Sequence, residues 1–496
     1  MGEFRRTLLV TLASIAITAA VIVGTVFVAG SFRPTMSRSC GDGPTIRWFV
    51  GLGTGTQPSQ IDTEKKAVED YNRDFACRRP QVKLEIIPSS NALDTLKSEM
   101  AAGFPPDIVG PLGVGLLARL DGLLADLRTY TSKPIWDKGS PTVDPGLQDR
   151  LGSLLSDRQG HTVGLPYLVY PAFMFYDKDL FAKAGLADLP TKVGQTYMGK
   201  TWDWNEVKAL GLRLTADTLG RHPGEPGFDA KHISTWGFDF QWWDARRVGS
   251  AFGGGGLYGV DGTARIPSAW SEGWSWYRDA IWTNHIAPDL SAIKSDALRA
   301  GAAASGRVAM AVTNTWAIST FGNLDKPAFK HWGIAVLPSW QGQTAAPLDL
   351  ETFAVMKSSK PAAEAFQAML AIESNPDLMA AYEANGAMPA ATSARQAYFD
   401  RMDAVIAKDF PDNPIDWTVL TEMLDHPAIP SHEAWMPNYD KAAADVGQFY
   451  DDLRSKPALD LTARERSLKW ILQCEFNASV PAAASCADQS PPPGWS

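Results

Sequence analysis

Cysteine and histidine are scarce in this chain: four of the first and seven of the second among 496 residues. No two cysteines stand at C-x-x-C spacing and no histidines at H-x-x-x-H or H-E-x-x-H, so the patterns that hold zinc are missing. There is no G-x-S-x-G stretch to build a serine nucleophile elbow. Positive charge is not in excess either. With 46 Lys and Arg against 55 Asp and Glu the net charge is -9, which excludes the basic stripe that a nucleic-acid partner requires. Long runs of one charge sign are absent, and only the tail QSPPPGWS is low in complexity. The expectation is a protein with no metal, no cofactor and no nucleic-acid partner.

Long apolar runs are absent with one exception. After Arg5 and Arg6, the stretch from Leu8 to Gly30 is broken only by Thr and Ser hydroxyls, which a helix satisfies by back-bonding. About 23 residues at 1.5 Å each would cross a bilayer. Residues 1–30 therefore read as a transmembrane anchor or a signal peptide, with Val28 and Gly30 small enough for cleavage after Gly30. Cys40 is a poor lipid acceptor, because Ser37 and Arg38 stand where small or aliphatic residues are needed. Either reading places the rest of the chain outside the cell, where cysteines pair. Cys40, Cys77, Cys474 and Cys486 allow three pairings. The local one, Cys40 with Cys77 and Cys474 with Cys486, would staple both ends of the body, and the short C-terminal loop alone would contribute roughly 3 kcal/mol.

At this length one core is not enough, and two domains are expected. After a polar linker over 31–44, Ile46 to Val50 reads as a strand and is followed by the loop GLGTGTQPSQ and a helix with Val68, Tyr71 and Phe75 on one face. Val82, Leu84 and Ile86 alternate with Lys83 and Glu85 as in a half-buried strand. A helix near Leu93 to Ala102 and a short apolar strand at Asp107 to Val109 complete a βαβ pattern, so the first lobe is α/β. Further along, GLPYLVYPAFMFYDKDLF ends a strand at Tyr176 and starts a helix capped by Asp177 and closed by Gly185. Asp203 and Glu206 form a candidate capping box. A Trp-rich helix is expected near Trp270 to Trp282, with strands within ASGRVAMAVTNTWA, which ends in a loop at Trp316, and in HWGIAVLP.

These stretches carry a resemblance. GLPYLVYPAFMFYDKDLF with AKAGL, TWDWNEVKAL, ASGRVAMAV, WGIAVLP and ANGAMPA are similar, in this order, to the landmarks of the family 1 extracellular solute-binding proteins, the maltose-binding-protein-like sugar receptors of bacterial ABC importers. The resemblance covers about Ile46 to Ala390. It implies an α/β, two-lobed, type II periplasmic-binding-protein-like fold with an interlobe ligand cleft and hinge strands, preceded here by the N-terminal apolar helix. The chain would cross between lobes near Tyr167 to Ala172, Val336 to Pro338 and Ile372 to Asn375. Lobe 1 would take 45–168 with about 307–372, lobe 2 would take 169–306 with about 373–460, and 461–496 would be a tail. The implied function is non-enzymatic capture of a small molecule, a sugar or oligosaccharide, for delivery to permease subunits by a monomer held near the membrane.

A sugar offers apolar C–H faces and a rim of hydroxyls, so its site needs flat rings beside fixed polar groups. Thr54 and Gly55 lie in the loop at the carboxyl end of the first strand, where open α/β sheets bind ligands. Asp349 and Glu351 stand two apart, on one side of a strand. By the resemblance, Tyr170 occupies the place of a cleft carboxylate in maltose-binding relatives, and Trp316 follows a turn where family members carry a Trp under the sugar. Trp243, with Trp242 and Asp244 beside it, corresponds to a stacking aromatic, and Trp435 to a late cleft Trp. Two other classes stay open. The same fold could take a glycerophosphodiester, polyamine or peptide, with Asp349, Glu351 and Asp244 suiting a cation and Arg246 or Arg247 a phosphate. Paired carboxylates near aromatics also suit a secreted glycoside hydrolase.

Overall fold

The computed structural model describes residues 44–130, 145–299, 301–321 and 327–477. The N-terminal apolar segment, Cys40 and Cys486 lie outside them. Among the described residues no helix is long and apolar enough to cross a membrane.

The architecture is α/β, organised around nine strands: β1 (Ile46–Val50), β2 (Val82–Ile86), β3 (Ile108–Gly113), β4 (Leu168–Asp177), β5 (Asp239–Phe240), β6 (Met310–Asn314), β7 (Trp332–Ala335), β8 (Leu348–Val355) and β9 (Met388–Pro389). The hydrogen-bonded path runs β2-β1-β3-β8-β4-β6-β5, with β7 and β9 also on β4. β1 is parallel to β2 and β3, as the expected βαβ alternation requires, and its crossover helix Pro58–Asp74 buries Val68 and Tyr71 against the sheet. Trp48 is fully buried on β1 and donates its indole N–H to the Gly110 carbonyl at 2.8 Å, so the largest ring in this core leaves no donor orphaned.

β4 divides the molecule. All ten of its residues are buried. Leu168 to Pro171 pair with β8, and Leu168 and Val169 with β9, whereas Ala172 to Tyr176 pair with β6 and Met174 to Asp177 with β7. The near half thus belongs to the sheet of β1 to β3, the far half to a second sheet with β5. At its end Asp177 accepts from the Leu180 amide at 3.0 Å and starts the helix Lys178–Lys183, and Gly185 follows at a φ of 64°. The second core is aromatic. Trp204 stacks on Phe252 at 4.7 Å and meets Phe238, Phe240 and Trp276 edge-on or tilted.

Four expectations about chain allocation differ from the structure. The stretch Val336 to Pro338, expected to cross, stays with the far half, where the Val336 amide donates to the Pro190 carbonyl and the Ser339 amide to the Trp202 carbonyl. β6 and β7, expected with the first lobe, pair with the far half of β4, because β4 itself continues across and offers them both edges. The helices Ala362–Glu373 and Pro376–Glu383 both pack on Pro58–Asp74, so 372–375 is a turn between neighbours rather than a crossing. The expected tail is helical over Leu461–Asn477 and buries Leu468, Leu472 and Phe476 beside the helix Tyr439–Ser455. The expected capping box at Asp203 is half made. Asp203 accepts from the Asn205 and Glu206 amides, but Glu206 turns to Lys200 at 3.1 Å.

Candidate functional site

Where β4 passes between the two halves, a cavity of about 440 Å³ opens beside it, lined by the loop Gly53 to Gln57, Gln60, Tyr170, Trp316, Asp349, Glu351, Asn385 and Glu433. The loop follows the carboxyl end of β1, and two glycines shape it. A Cβ on Gly53 would stand 2.6 Å from Glu351 Oε1, and one on Gly55, whose φ is +121°, would stand 2.5 Å from Glu64 Oε1. Their bareness lets the Thr54 amide reach Glu351 Oε1 at 2.9 Å and the Gly55 amide reach Gln60 Oε1 at 3.0 Å.

Asp349 and Glu351 project from one side of β8, as their spacing predicts, but their chemistry differs. The Tyr170 hydroxyl donates to Glu351 Oε2 at 3.1 Å and lies 3.0 Å from Thr54 Oγ1. Burial pushes the Glu351 carboxyl above its ordinary range in spite of these donors, and pushes the Tyr170 hydroxyl up as well, with the Glu351 charge adding to it. Asp349 is held below the ordinary range. Burial opposes its ionisation, but the Arg247 guanidinium, which donates to Oδ1 at 2.7 Å, and His432 outweigh it. Asp349 Oδ2 is buried and has no partner among the described residues.

The aromatic element is Trp316. Its ring lies 5.8 Å from that of Tyr170 at 47°, and the Arg247 guanidinium sits 5.4 Å from its centroid. Arg247 is positioned from the other half of the molecule. Asp244 caps the helix Ala245–Ser250 by accepting from the Arg247 amide at 2.9 Å, and the two arginines at 246 and 247 hold its carboxyl far below the ordinary range against the effect of burial.

Besides Gln60 and Asn385 in the lining, two residues beside Asp349 were not foreseen. His432 is 3% exposed, with neither ring nitrogen hydrogen-bonded among the described residues and Nε2 3.4 Å from Asp349 Oδ1. Glu433 accepts from the Gly115 amide at 3.1 Å through Oε2. Both stand just ahead of Trp435 in the stretch HEAWMP, whose adjacent imidazole and carboxylate are the sequence signal for them. Asp349, His432 and Glu433 each offer a ligand atom within 4.8 Å of one another. Arg247 already compensates Asp349, so this trio is better suited to hydroxyls than to a divalent ion.

Thr54, Gly55, Tyr170, Trp316, Asp349 and Glu351 thus meet around one cavity. The others do not. Trp243 is 4% exposed, stacks on Phe240 at 5.2 Å and 19°, and donates to Asn314 Oδ1 at 3.0 Å, so it is a core ring. Trp242, at a φ of 61°, is turned out and 48% exposed. Asp244 acts as a helix cap. Trp435 lines an adjoining cavity, where Arg158 covers its ring at 3.8 Å.

Residues 57–376 match the bacterial extracellular solute-binding protein family. The chain belongs to that family. Its α/β fold is that of two-lobed periplasmic binding proteins. UspC of M. tuberculosis superposes with a TM-score of 0.64 at 21% identity, covering 88% of this chain and 100% of UspC. The sugar-binding protein MalE from Xanthomonas citri gives 0.62 at 15% identity, over 88% and 98%. The substrate-binding protein Lmo0181 from Listeria monocytogenes, solved with cycloalternan, gives 0.59 at 17%, over 88% and 98%. By sequence, a putative binding protein of Brucella abortus is 27% identical over 177 residues, 34% of this chain and 36% of its own. The match spans about a third of that relative.

Proposed function

We propose that this solute-binding protein captures a carbohydrate between its lobes and delivers it to the permease of an ABC importer. The observation that carries the reading is the Trp316 face set against Asp349, whose Oδ2 is buried without a partner. A buried acceptor left bare costs about 1–3 kcal/mol. A hydroxyl-bearing ring laid on Trp316 would supply the missing donor. Relatives of the same fold described as sugar-binding, or solved with an oligosaccharide, support this choice. Asp349 and Trp316 stand on opposite sides of the crossing in β4, so a ligand touching both favours the closed state by the difference between its closed-state and open-state affinities.

The test is a titration of mono- and oligosaccharides and polyols followed by tryptophan emission and melting temperature. If none shifts either, the carbohydrate reading is wrong. A non-sugar solute is the second reading, favoured by Arg247 on the Trp316 face, and a parallel titration with glycerophosphodiesters, polyamines and peptides separates it. The reading is of a binder rather than a hydrolase. Glu351 has both oxygens engaged, by the Thr54 amide and the Tyr170 hydroxyl, which suits a fixed acceptor better than a nucleophile. Turnover of a chromogenic glycoside lost in Glu351→Gln would overturn this.

The lobes are proposed as about 45–171 with 348–391, and about 172–347 with 392–477. The N-terminal apolar segment would tether the monomer outside the membrane or be removed as a signal peptide. Among the described residues neither Cys77 nor Cys474 is a free thiol, which supports pairing with Cys40 and Cys486, and non-reducing peptide mapping would check it.

A further inference from the structure

Beside the cleft lies a second cavity of about 220 Å³. Its apolar walls include Leu117, Leu120, Leu154, Val163, Pro430 and Trp435, and Asp121, Asp157, Arg158 and Glu433 also line it. The two spaces adjoin. Glu433 lines both, and the consecutive residues Gly113 and Val114 line the cleft and the cavity respectively.

Their polar accounting is opposite. In the cleft, Asp349 Oδ2 is buried with no partner. The charged groups that line the second cavity are already paired. Arg158 donates to Asp121 at 2.6 Å, Asp157 accepts from the Gln159 and His161 amides, and Glu433 accepts from Gly115. None of its lining side chains has a buried polar atom without a partner. Water needs two to four polar partners to settle in such a space, whereas an apolar cavity of about 150 Å³ stays dry and takes a benzene ring. The larger volume here has room for a ring with a short extension, or for a chain of about six carbons.

We infer that the solute carries an apolar substituent, an aryl or short alkyl group attached to its polar head, and that this group occupies the cavity walled by Leu117, Leu154 and Trp435. The inference rests on the cleft being the site for the polar head. The cavity meets the ligand cleft at Glu433 and at the Gly113–Val114 step, so its occupant is part of the solute; it also shares Gly122 with a recess beside Leu123 and Lys357. Arg158 lies over the Trp435 ring at 3.8 Å, and Glu433, which lines both spaces, marks the side on which the substituent meets the polar head.

Two measurements test this. Crystals pressurised with xenon should show it among Leu117, Leu154 and Trp435, and a cavity filled by ordered water without xenon would overturn the inference whatever the sugars do. Calorimetry with matched methyl and n-hexyl glycosides of glucose, galactose and maltose should show the hexyl member of at least one pair binding at least tenfold more tightly. Ala434 and Ala118 also line the cavity, so Ala434→Phe or, should that variant fold poorly, Ala118→Leu narrows it and should abolish the preference while leaving the methyl glycoside unchanged. Equal affinity within every pair that binds defeats the inference and leaves the carbohydrate reading standing. Failure of every glycoside, methyl and hexyl alike, with xenon bound, defeats the carbohydrate reading and the sugar-linked form of this inference with it.

Discussion

Arg247 and Asp349 join the two halves of the molecule through a 2.7 Å ion pair whose side chains are only 13% and 16% exposed. An exposed pair would contribute under about 1 kcal/mol. Here the larger effect is the charge left behind. Arg247→Met leaves Asp349 with one unpartnered oxygen already in place and a second newly bared, and breaking a buried pair in this way costs about 3–5 kcal/mol. Partial exposure and the remaining approach of His432 reduce that, so about 3 kcal/mol is expected. Asp349→Leu should cost less, because Asp244 still faces the arginine. The double variant should be more stable than Arg247→Met alone, with a coupling of about 1.5–3 kcal/mol, since removing the second partner relieves the orphaned charge. Urea unfolding, read by far-ultraviolet dichroism and tryptophan emission, measures all three. Because the folded-state Asp349 carboxyl lies below its ordinary value, the coupling is full above that ordinary value and is lost as pH falls through the folded-state value. Single variants within 0.5 kcal/mol of the parent, or strictly additive effects, would refute the argument.

Trp316→Ala should weaken binding of whichever saccharide the parent protein takes by at least tenfold while leaving the melting temperature nearly unchanged, because the ring lines the cleft; an unchanged affinity in calorimetry removes Trp316 from the site. Glu64, fully buried under the ligand loop and accepting from the Tyr382 hydroxyl at 2.8 Å, has its carboxyl pushed by burial to about 8. Its contribution to stability is complete below its ordinary value and is lost as pH rises through 8, so Glu64→Gln should be more stable than the parent at pH 9, by on the order of 3 kcal/mol, and nearly equal to it at pH 5; parallel stability profiles would count against this. Asp203→Ala removes the acceptor for two amides at the start of Trp204–Leu214 and should cost about 1 kcal/mol in urea unfolding.

Features set by short-range chemistry were legible in the chain. The β1–helix–β2 alternation, the Asp177 cap and the Gly185 closure are each decided within a few residues, and each is present. Family landmarks supplied the two-lobed arrangement, which local periodicity could not. Pairing over long separations was less legible, as β8 shows. It slots between β3 and β4, more than 170 residues upstream of it, and nothing in LDLETFAV specifies those neighbours. The adjacent rings Trp242 and Trp243 show the same limit at the site. Which of them enters the core depends on a left-handed φ of 61° at Trp242, and that turn is fixed by the stacking of Trp243 on Phe240 and by its bond to Asn314. Asn314 also donates to the Tyr170 carbonyl at 2.7 Å. The ring that leaves the cleft therefore still acts on it, by anchoring the strand that carries Tyr170, and a sequence pattern that marked Trp243 as important located a support of the site rather than a wall of it.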